Sequence, residues 1–126
     1  MSIKRYGVEG GKGTGGQHLP FARAVEADGW LYVSGQVPMV NGEVIPGNIV
    51  AQSRQAIQNL LGILKEAGYG PEHVVRCGVW LDDPRDFSSF RRSVSTPVKA
   101  RTNVVLPWSM CPAVPTTIVR KHSTAK

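Results

Sequence analysis

The chain has 126 residues, a formal net charge of +6 and 41% hydrophobic residues, which is typical of one globular domain with one core. It lacks an apolar run of the roughly 18–20 residues that a membrane span needs, and no apolar segment follows its charged N-terminus as in a secretory signal. Its two cysteines, Cys77 and Cys111, exclude a disulfide framework and lack the spacing of a metal site. We therefore expect a cytoplasmic, reduced protein with no metal and no membrane partner.

The charge is unevenly distributed along the chain. All nine acidic residues lie before residue 91, whereas residues 91–126 contain seven of the fifteen Lys and Arg residues and no acid. A basic tail of this kind often binds a polyanion. The alternative is that residues 91–126 are an atypical C-terminal segment of different origin, through a shifted reading frame or a sequence error.

Residues 7–18 contain six glycines. A phosphate-binding loop of the P-loop type follows a strand, precedes a helix and ends in Lys-Ser or Lys-Thr. Here Lys12 is followed by Gly13, and a predicted strand follows the segment. The pattern favours a surface loop in which glycines adopt positive φ angles.

Residues 21–25 and 30–37 predict a β-hairpin, because Asp28 and Gly29 form a strong turn signal between two apolar, β-branched runs. Gly35 interrupts the second strand, which indicates a bulge or a close approach of the backbone to another group. Asn41 and Gly42 predict a second tight turn, with a short return strand at residues 43–45.

The strongest local prediction is one amphipathic helix from Ile49 to about Ala67. Asn48 is a suitable N-cap, and Gly68 stands where a left-handed residue ends many helices. Apolar residues recur at helical spacing along one face: Val50, Ile57, Leu60, Leu61 and Leu64. Polar residues are expected to face water: Gln52, Arg54, Gln55, Gln58, Lys65 and Glu66.

Residues 74–81 predict a strand that buries the alternate side chains of Val75, Cys77, Val79 and Leu81. Residues 87–90 predict a short second helix, since the serine-rich stretch that follows ends at Pro97 and favours no helix. Residues 101–106 and 116–121 are weaker strand candidates.

These elements predict an α+β fold, a sheet with helices packed on one face. The opposite face would expose Trp30, Tyr32 or Trp80, and an exposed apolar face predicts association of several copies.

The order of the motifs across residues 16–90 resembles the Rid family, also called YjgF/YER057c/UK114 or endoribonuclease L-PSP. The resemblance lies in four motifs: Pro20-Phe21-x-x-Ala24-Val25; Leu31-Tyr32-Val33-Ser34-Gly35-Gln36-Val37-Pro38; Gln52-x-x-Gln55-Ala56-x-x-Asn59-Leu60; and Val75-x-x-x-Val79-x-Leu81-x-Asp83-x-x-Asp86-Phe87. It implies a chorismate-mutase-like fold of the bacillus type and a homotrimer with sites in the clefts between subunits. It also implies hydrolysis of reactive 2-imino or enamine acids to 2-oxo acids and ammonia, with no cofactor.

The resemblance also assigns residues to the site. Arg101 is the implied catalytic residue and carboxylate anchor, since an arginine fork binds a carboxylate with two parallel hydrogen bonds. The other implied substrate-binding residues are Phe21, Ser34, Gly35 and Cys77. Each of three residues also has a purely structural alternative: a solvated charge for Arg101, a buried strand cysteine for Cys77 and a structural hydroxyl for Ser34.

The chain departs from the family pattern at three positions. Phe21 replaces a tyrosine, Arg91 stands where the family has an asparagine, and residues 118–121 contain no glutamate. These departures keep two alternatives open beside the deaminase. One is a catalytically impaired protein that binds small carboxylates, and the other is an RNA-binding or ribonuclease-like translation inhibitor that acts through the basic segment.

Overall fold

A computed structural model describes residues 2–7, 22–93, 102–105 and 117–120, with only the backbone described for residues 102–105. Phe21, Arg101 and most of the glycine-rich segment lie outside the described residues. The predictions for those residues therefore stay predictions.

The described chain contains two α-helices and eight strands. The helices are α1 (Ile49–Glu66) and α2 (Phe87–Ser93). The strands are β1 (Ile3–Tyr6), β2 (Ala24–Ala27), β3 (Trp30–Val33), β4 (Met39–Val40), β5 (Glu43–Val44), β6 (Val74–Trp80), β7 (Thr102–Val105) and β8 (Thr117–Arg120). Short 3₁₀ turns at Pro71–His73 and Pro84–Asp86 precede β6 and α2. None of the helices in these ranges has the length and apolarity to cross a bilayer.

Six strands form one mixed sheet in the order β1-β2-β3-β8-β6-β7. Neighbouring strands are antiparallel except β6 and β7, which run parallel. The strands β4 and β5 form a separate hairpin. This mixed sheet with two helices confirms the predicted α+β class, and it includes two strands from the basic segment after residue 90.

Both predicted hairpin turns are confirmed by their backbone angles. Asp28 and Gly29 have φ angles of 54° and 77°, and Asn41 and Gly42 have φ angles of 52° and 82°. Two consecutive residues in the left-handed region define the turn whose twist matches that of the adjoining strands. The first turn is tighter than the sequence predicted, because β2 continues to Ala27, which pairs with Trp30.

The helix α1 begins and ends where the sequence predicted. The side chain of Asn48 accepts a hydrogen bond of 3.1 Å from the backbone N–H of Ala51, which satisfies a donor that the first turn leaves unpaired. At the other end, Gly68 has a φ angle of 79°, a conformation that glycine adopts without strain.

The core lies between α1 and one face of the sheet. Leu60, Ile63 and Leu64 of α1 are buried, and they belong to one cluster with the sheet residues Leu31, Val33, Val74 and Val119. A smaller cluster joins Phe90 of α2 to Leu81 and to the first turns of α1. The two helices therefore cover the same side of the sheet.

The predicted burial pattern of β6 is wrong at its start. Val74 is buried, whereas Val75 is 49% exposed. The pairing of β6 with β8 shifts between Val74 and Arg76, and an extra residue at such a bulge reverses the alternation of side chains. Beyond the bulge the prediction is confirmed for Cys77 and Leu81, which are both buried.

Neither of the two described helices covers the sheet face opposite α1, which we call the uncovered face. Tyr32 is 44% exposed there, with Val25 and Ile118 as its cross-strand neighbours. Arg5 pairs with Val25 and Arg76 pairs with Ile118, so an apolar row ends in a cation on each side. Trp30 and Trp80 are half-buried rather than exposed.

Candidate functional site

A cavity of about 570 Å³ lies between the first half of α1, the C-terminal end of β6 and the segment that follows β3. Its apolar lining consists of side chains from both helices and the sheet: Ile57, Leu60, Val79, Leu81 and Phe90. Trp80, which we expected on the uncovered face, also contributes to the lining. This is an apolar pocket of the size that holds a small organic molecule.

Two buried residues with hydroxyl groups, Ser53 and Thr117, line the cavity. Thr117 is buried and donates a hydrogen bond of 3.5 Å from its hydroxyl to the sulfur of Cys77. Ser53 is only 6% exposed, and its side chain makes no hydrogen bond to another described residue. Because Ser53 lines the cavity, its hydroxyl can donate a hydrogen bond to an occupant or accept one from it.

The segment after β3 contains two of the residues implied by the family resemblance. The hydroxyl of Ser34 donates a hydrogen bond of 2.7 Å to the carbonyl of Ala22, and its backbone N–H donates one of 2.9 Å to the carbonyl of Arg23. The side-chain amide of Gln36 donates a bond of 2.9 Å to the carbonyl of Ser34. Ser34 thus anchors the segment, whereas Gln36 lines the cavity and Gly35 joins the two residues.

Cys77 lies in the cavity wall and is 8% exposed. Besides the bond from Thr117, its sulfur contacts the carbonyl of Gly78 at 4.0 Å. In the parallel pairing of β6 with β7, Cys77 lies opposite Thr102, the residue after Arg101 in the sequence. Cys77 therefore has the environment of a packed strand cysteine that borders a cavity.

Three carboxylates lie at the end of the cavity near α2, and the described lining contains no lysine or arginine. Asp83 is paired with Arg85, whose Nη2 lies 2.8 Å from one carboxylate oxygen, and this hydrogen-bonded pair lowers the pKa of Asp83. Asp86 is half-buried and Asp82 is exposed. A bound carboxylate would therefore need a cation from outside the described lining.

The absence of a metal site stays a prediction outside the described ranges. They contain no group of three His, Cys, Asp or Glu side chains placed to hold a metal ion. The three carboxylates near α2 do not form such a group, and Asp83 is already paired with Arg85.

Several polar residues of the cavity were not predicted from the sequence. Gln52 was expected to face water, but it is half-buried and lines the cavity. The burial of Ser53 could have been predicted, because Ser53 lies four residues before Ile57 and so continues the apolar stripe of α1 toward its N-terminus. A polar residue on a buried stripe is the pattern that could have identified it.

The comparisons with known proteins place the chain in a family. The family model described as Endoribonuclease L-PSP matches residues 16–119, which is most of the chain. The chain belongs to the endoribonuclease L-PSP family. The match continues beyond Phe90, where the resemblance in individual motifs ended, and it includes β7 and part of β8.

Several curated L-PSP family relatives are similar over the middle of the chain. The 2-iminobutanoate/2-iminopropanoate deaminase of Mus musculus is 38% identical over 79 residues, which cover 61% of this chain and 58% of the mouse protein. The deaminase of the same name from Capra hircus is 40% identical over 72 residues, 56% of this chain and 53% of the goat protein. The mitochondrial protein mmf1 of Schizosaccharomyces pombe is 38% identical over 73 residues, 58% of this chain and 45% of mmf1. These matches span about half the length of each relative.

Solved structures of the family share the fold over nearly the whole chain. Yeast Mmf1 superposes with a TM-score of 0.75 at 21% identity, covering 95% of this chain and 99% of Mmf1. Escherichia coli TdcF, solved with bound serine, superposes with a TM-score of 0.72 at 19% identity, covering 94% and 98% of the two chains. At these identities the similarity establishes the fold alone.

Proposed function

We propose that this L-PSP family chain is a Rid-type deaminase that hydrolyses 2-imino or enamine acids to 2-oxo acids and ammonia. The observation that carries the proposal is the similarity to mouse, goat and bovine proteins named 2-iminobutanoate/2-iminopropanoate deaminase, at 38%, 40% and 39% identity. The cavity beside Cys77 and Gln36 supports it, because it offers a small apolar space with a few inward polar groups.

Hydrolysis of an imine requires only a few groups of the protein. Water adds to the carbon of the C=N bond, and the resulting carbinolamine releases ammonia as its C–N bond breaks and the carbonyl forms. The protein has to orient the imine, hold the water and transfer a proton between them. Hydroxyl and amide groups of the kind that Ser53 and Gln36 place in the cavity can hold water and imine by hydrogen bonds.

We assign the carboxylate of the substrate to Arg101. Two observations support this assignment, namely the absence of a cation from the described lining and the position of Arg101 directly before Thr102, which pairs with Cys77. A bidentate arginine would supply the charge and the orientation that the carboxylates near α2 cannot. Phe21, Ser34, Gly35 and Cys77 complete the proposed substrate-binding set, without a cofactor.

We further propose that the active form is a homotrimer with its sites in the clefts between subunits. The apolar row on the uncovered sheet face supports association, because a 44% exposed Tyr32 between Val25 and Ile118 is unfavourable in water. Light scattering on the purified chain should give three times the monomer mass. Tyr32→Glu should shift the protein to the monomer and lower its activity.

A coupled assay tests the activity. Threonine dehydratase converts threonine to 2-iminobutanoate, and the purified chain should speed the release of 2-oxobutanoate above the spontaneous rate. Arg101→Ala should remove most of the acceleration, whereas Arg54→Ala, on the exposed side of α1, should leave it intact. No acceleration by the trimeric protein would rule out the deaminase and leave a protein that binds small carboxylates without turnover.

RNA binding is the second candidate function. It is favoured by three arginines on the uncovered sheet face, Arg5, Arg76 and Arg120, the last of which lies 4.6 Å from the centre of the Trp30 ring. Aromatic and cationic side chains on one sheet can bind single strands. Binding to single-stranded RNA that survives 0.5 M salt would support this function over the deaminase, since purely electrostatic contact weakens steeply with salt.

A further inference from the structure

We infer that Asn59, supported by Gln55, is a positioning residue that holds the segment after β3 against the cavity and so sets the affinity for substrate. The inference about affinity rests on the proposed deaminase function. The inference that Asn59 holds the segment does not, and it can be measured separately.

The side chain of Asn59 uses both of its donors and its amide oxygen on this task. Its amide nitrogen lies 3.0 Å from the carbonyl oxygen of Val37 and 3.0 Å from that of Met39, so each of its two N–H groups has an acceptor. Its amide oxygen accepts a bond of 2.9 Å from the side chain of Gln55, one helical turn earlier. The Gln55 bond fixes the orientation of the Asn59 amide and hence the direction of both donors.

The segment needs such a clamp because it is not held by burial. None of the residues 34–39 is buried, and Val37 is 51% exposed. Hydrogen bonds hold it at two ends. Ser34 bonds to Ala22 and Arg23 at the start. At the end, Asn59 bonds to Val37 and Met39, beside the Ile45 N–H that donates to Pro38 and the hairpin pairing of Met39. Segments with few buried contacts open at low free energy, so loss of one clamp should act locally.

The clamped segment forms one wall of the cavity. Gln36, Val37 and Pro38 all line it, and they lie between the two anchoring points. When Asn59 releases the carbonyls of Val37 and Met39, Gln36 and the backbone beside Gly35 lose their fixed position relative to Cys77. Asn59 itself contacts no substrate in this scheme, so its effect reaches the reaction through the segment alone.

The first test is kinetic. Asn59→Asp keeps the shape and the acceptor of the side chain but removes both N–H donors, and Gln58→Ala on the exposed neighbouring position is the matched control. We expect Asn59→Asp to raise KM about tenfold, the equivalent of roughly one net hydrogen bond, with little change in kcat. Gln55→Ala should give a smaller rise in KM. An unchanged KM, or a fall in kcat with an unchanged KM, would overturn the role in substrate affinity.

The second test does not require enzymatic activity. Hydrogen–deuterium exchange of the backbone amides of residues 36–40 should be faster in Asn59→Asp and Asn59→Ala than in the native chain and in Gln58→Ala. Exchange in β3 and α1 should stay unchanged. Equal exchange in all variants, or faster exchange over the whole chain, would show that Asn59 does not hold this segment. If the native chain has no deaminase activity, the proposed function fails while the exchange data still decide the role of Asn59.

Discussion

The hydroxyl of Tyr69 donates a hydrogen bond of 3.0 Å to the carboxylate of Glu26, 43 residues earlier in the chain. The other carboxylate oxygen of Glu26 accepts a bond of 2.7 Å from the hydroxyl of Tyr6. Glu26 in β2 therefore joins the edge strand β1 to the segment that follows α1. Both tyrosines are buried, at 7% and 5% exposure, so each phenol needs this partner to be satisfied away from water.

This relationship predicts a loss of stability at alkaline pH. Burial, followed by the hydrogen bond to Glu26, raises the pKa of Tyr69 to about 12, and the same two causes raise the pKa of Tyr6. A raised folded pKa means that the unfolded chain loses its phenol protons first. The contribution to stability is therefore complete below pH 10 and is lost as the pH rises from 10 toward 12.

Urea denaturation at several pH values measures this dependence. Tyr69→Phe should lower the free energy of unfolding at pH 7 by about 1–2 kcal/mol, because it removes a hydrogen bond to a charged acceptor, and it should flatten the fall between pH 10 and 12. Gln58→Ala, at an exposed position of α1 without a titratable group, is the control and should change neither quantity. An equally steep fall in Tyr69→Phe would contradict the assignment of the alkaline transition.

Two glycines should respond in opposite directions to replacement by alanine. Neither Gly29 nor Gly62 has a heavy atom within 4 Å of where a Cβ would stand, so both positions have room for an alanine side chain. Gly29 has a φ angle of 77°, whereas Gly62 lies within α1. We expect Gly29→Ala to lower the free energy of unfolding by about 1 kcal/mol and Gly62→Ala to raise it by about 0.5–1 kcal/mol.

Thermal melting of the two alanine variants beside the native chain checks this pair. The prediction depends on the backbone conformations of Gly29 and Gly62. A stabilising Gly29→Ala would therefore contradict the left-handed turn. A destabilising Gly62→Ala would show that this helix position contacts something beyond the described residues.

The N-cap of α1 should contribute measurably to stability. Asn48→Ala removes the acceptor for the Ala51 N–H and should lower the free energy of unfolding by about 1 kcal/mol. Asn48→Asp keeps an acceptor and adds a charge that favours the helix N-terminus, so it should match or exceed the native stability. Urea midpoints of both variants test the prediction, and equal losses in the two would argue against a capping role.

Cys77 should behave as a packed residue rather than a nucleophile. It is 8% exposed and its sulfur accepts a hydrogen bond from Thr117. In a Cys111→Ser background, labelling of Cys77 with a disulfide reagent should be at least tenfold slower in the native state than in urea, since folding leaves Cys77 only 8% exposed. In the proposed deaminase reaction, the additional change Cys77→Ala should change KM but retain kcat, and loss of kcat without loss of stability would assign Cys77 a chemical role.

Local patterns predicted the helices and turns well, because each depends on a few neighbouring residues. Asn48 and Gly68 mark the ends of α1, and the Asp-Gly and Asn-Gly pairs adopt the left-handed turns expected of them. The burial of Val74 instead of Val75 could not be predicted in this way. It follows from a bulge in the pairing of β6 with β8, a strand more than forty positions later. The alternation of residues along β6 alone does not show where its partner strand will force such a bulge.

The site was less predictable than the fold. The order of four motifs identified the family, and Cys77 does lie in the cavity. The roles of Gln36, Gln52 and Ser53 depend on how α1 lies across the end of β6, which helical spacing does not specify. Ser34 was expected near substrate, and its described contacts are the hydrogen bonds that anchor the neighbouring segment.

The sequence by itself determined most of the helices, strands and turns, though not the edge strand β1, and the family to which their order belongs, because capping, turn chemistry and apolar periodicity act over a few residues. Only the tertiary structure decided which polar side chains meet in the cavity and which hydrogen bonds hold its wall. Asn59 reaches Val37 and Met39, some twenty residues earlier, only after α1 has packed on the sheet. Such contacts form between elements, so they follow from packing rather than from the pattern of any one segment.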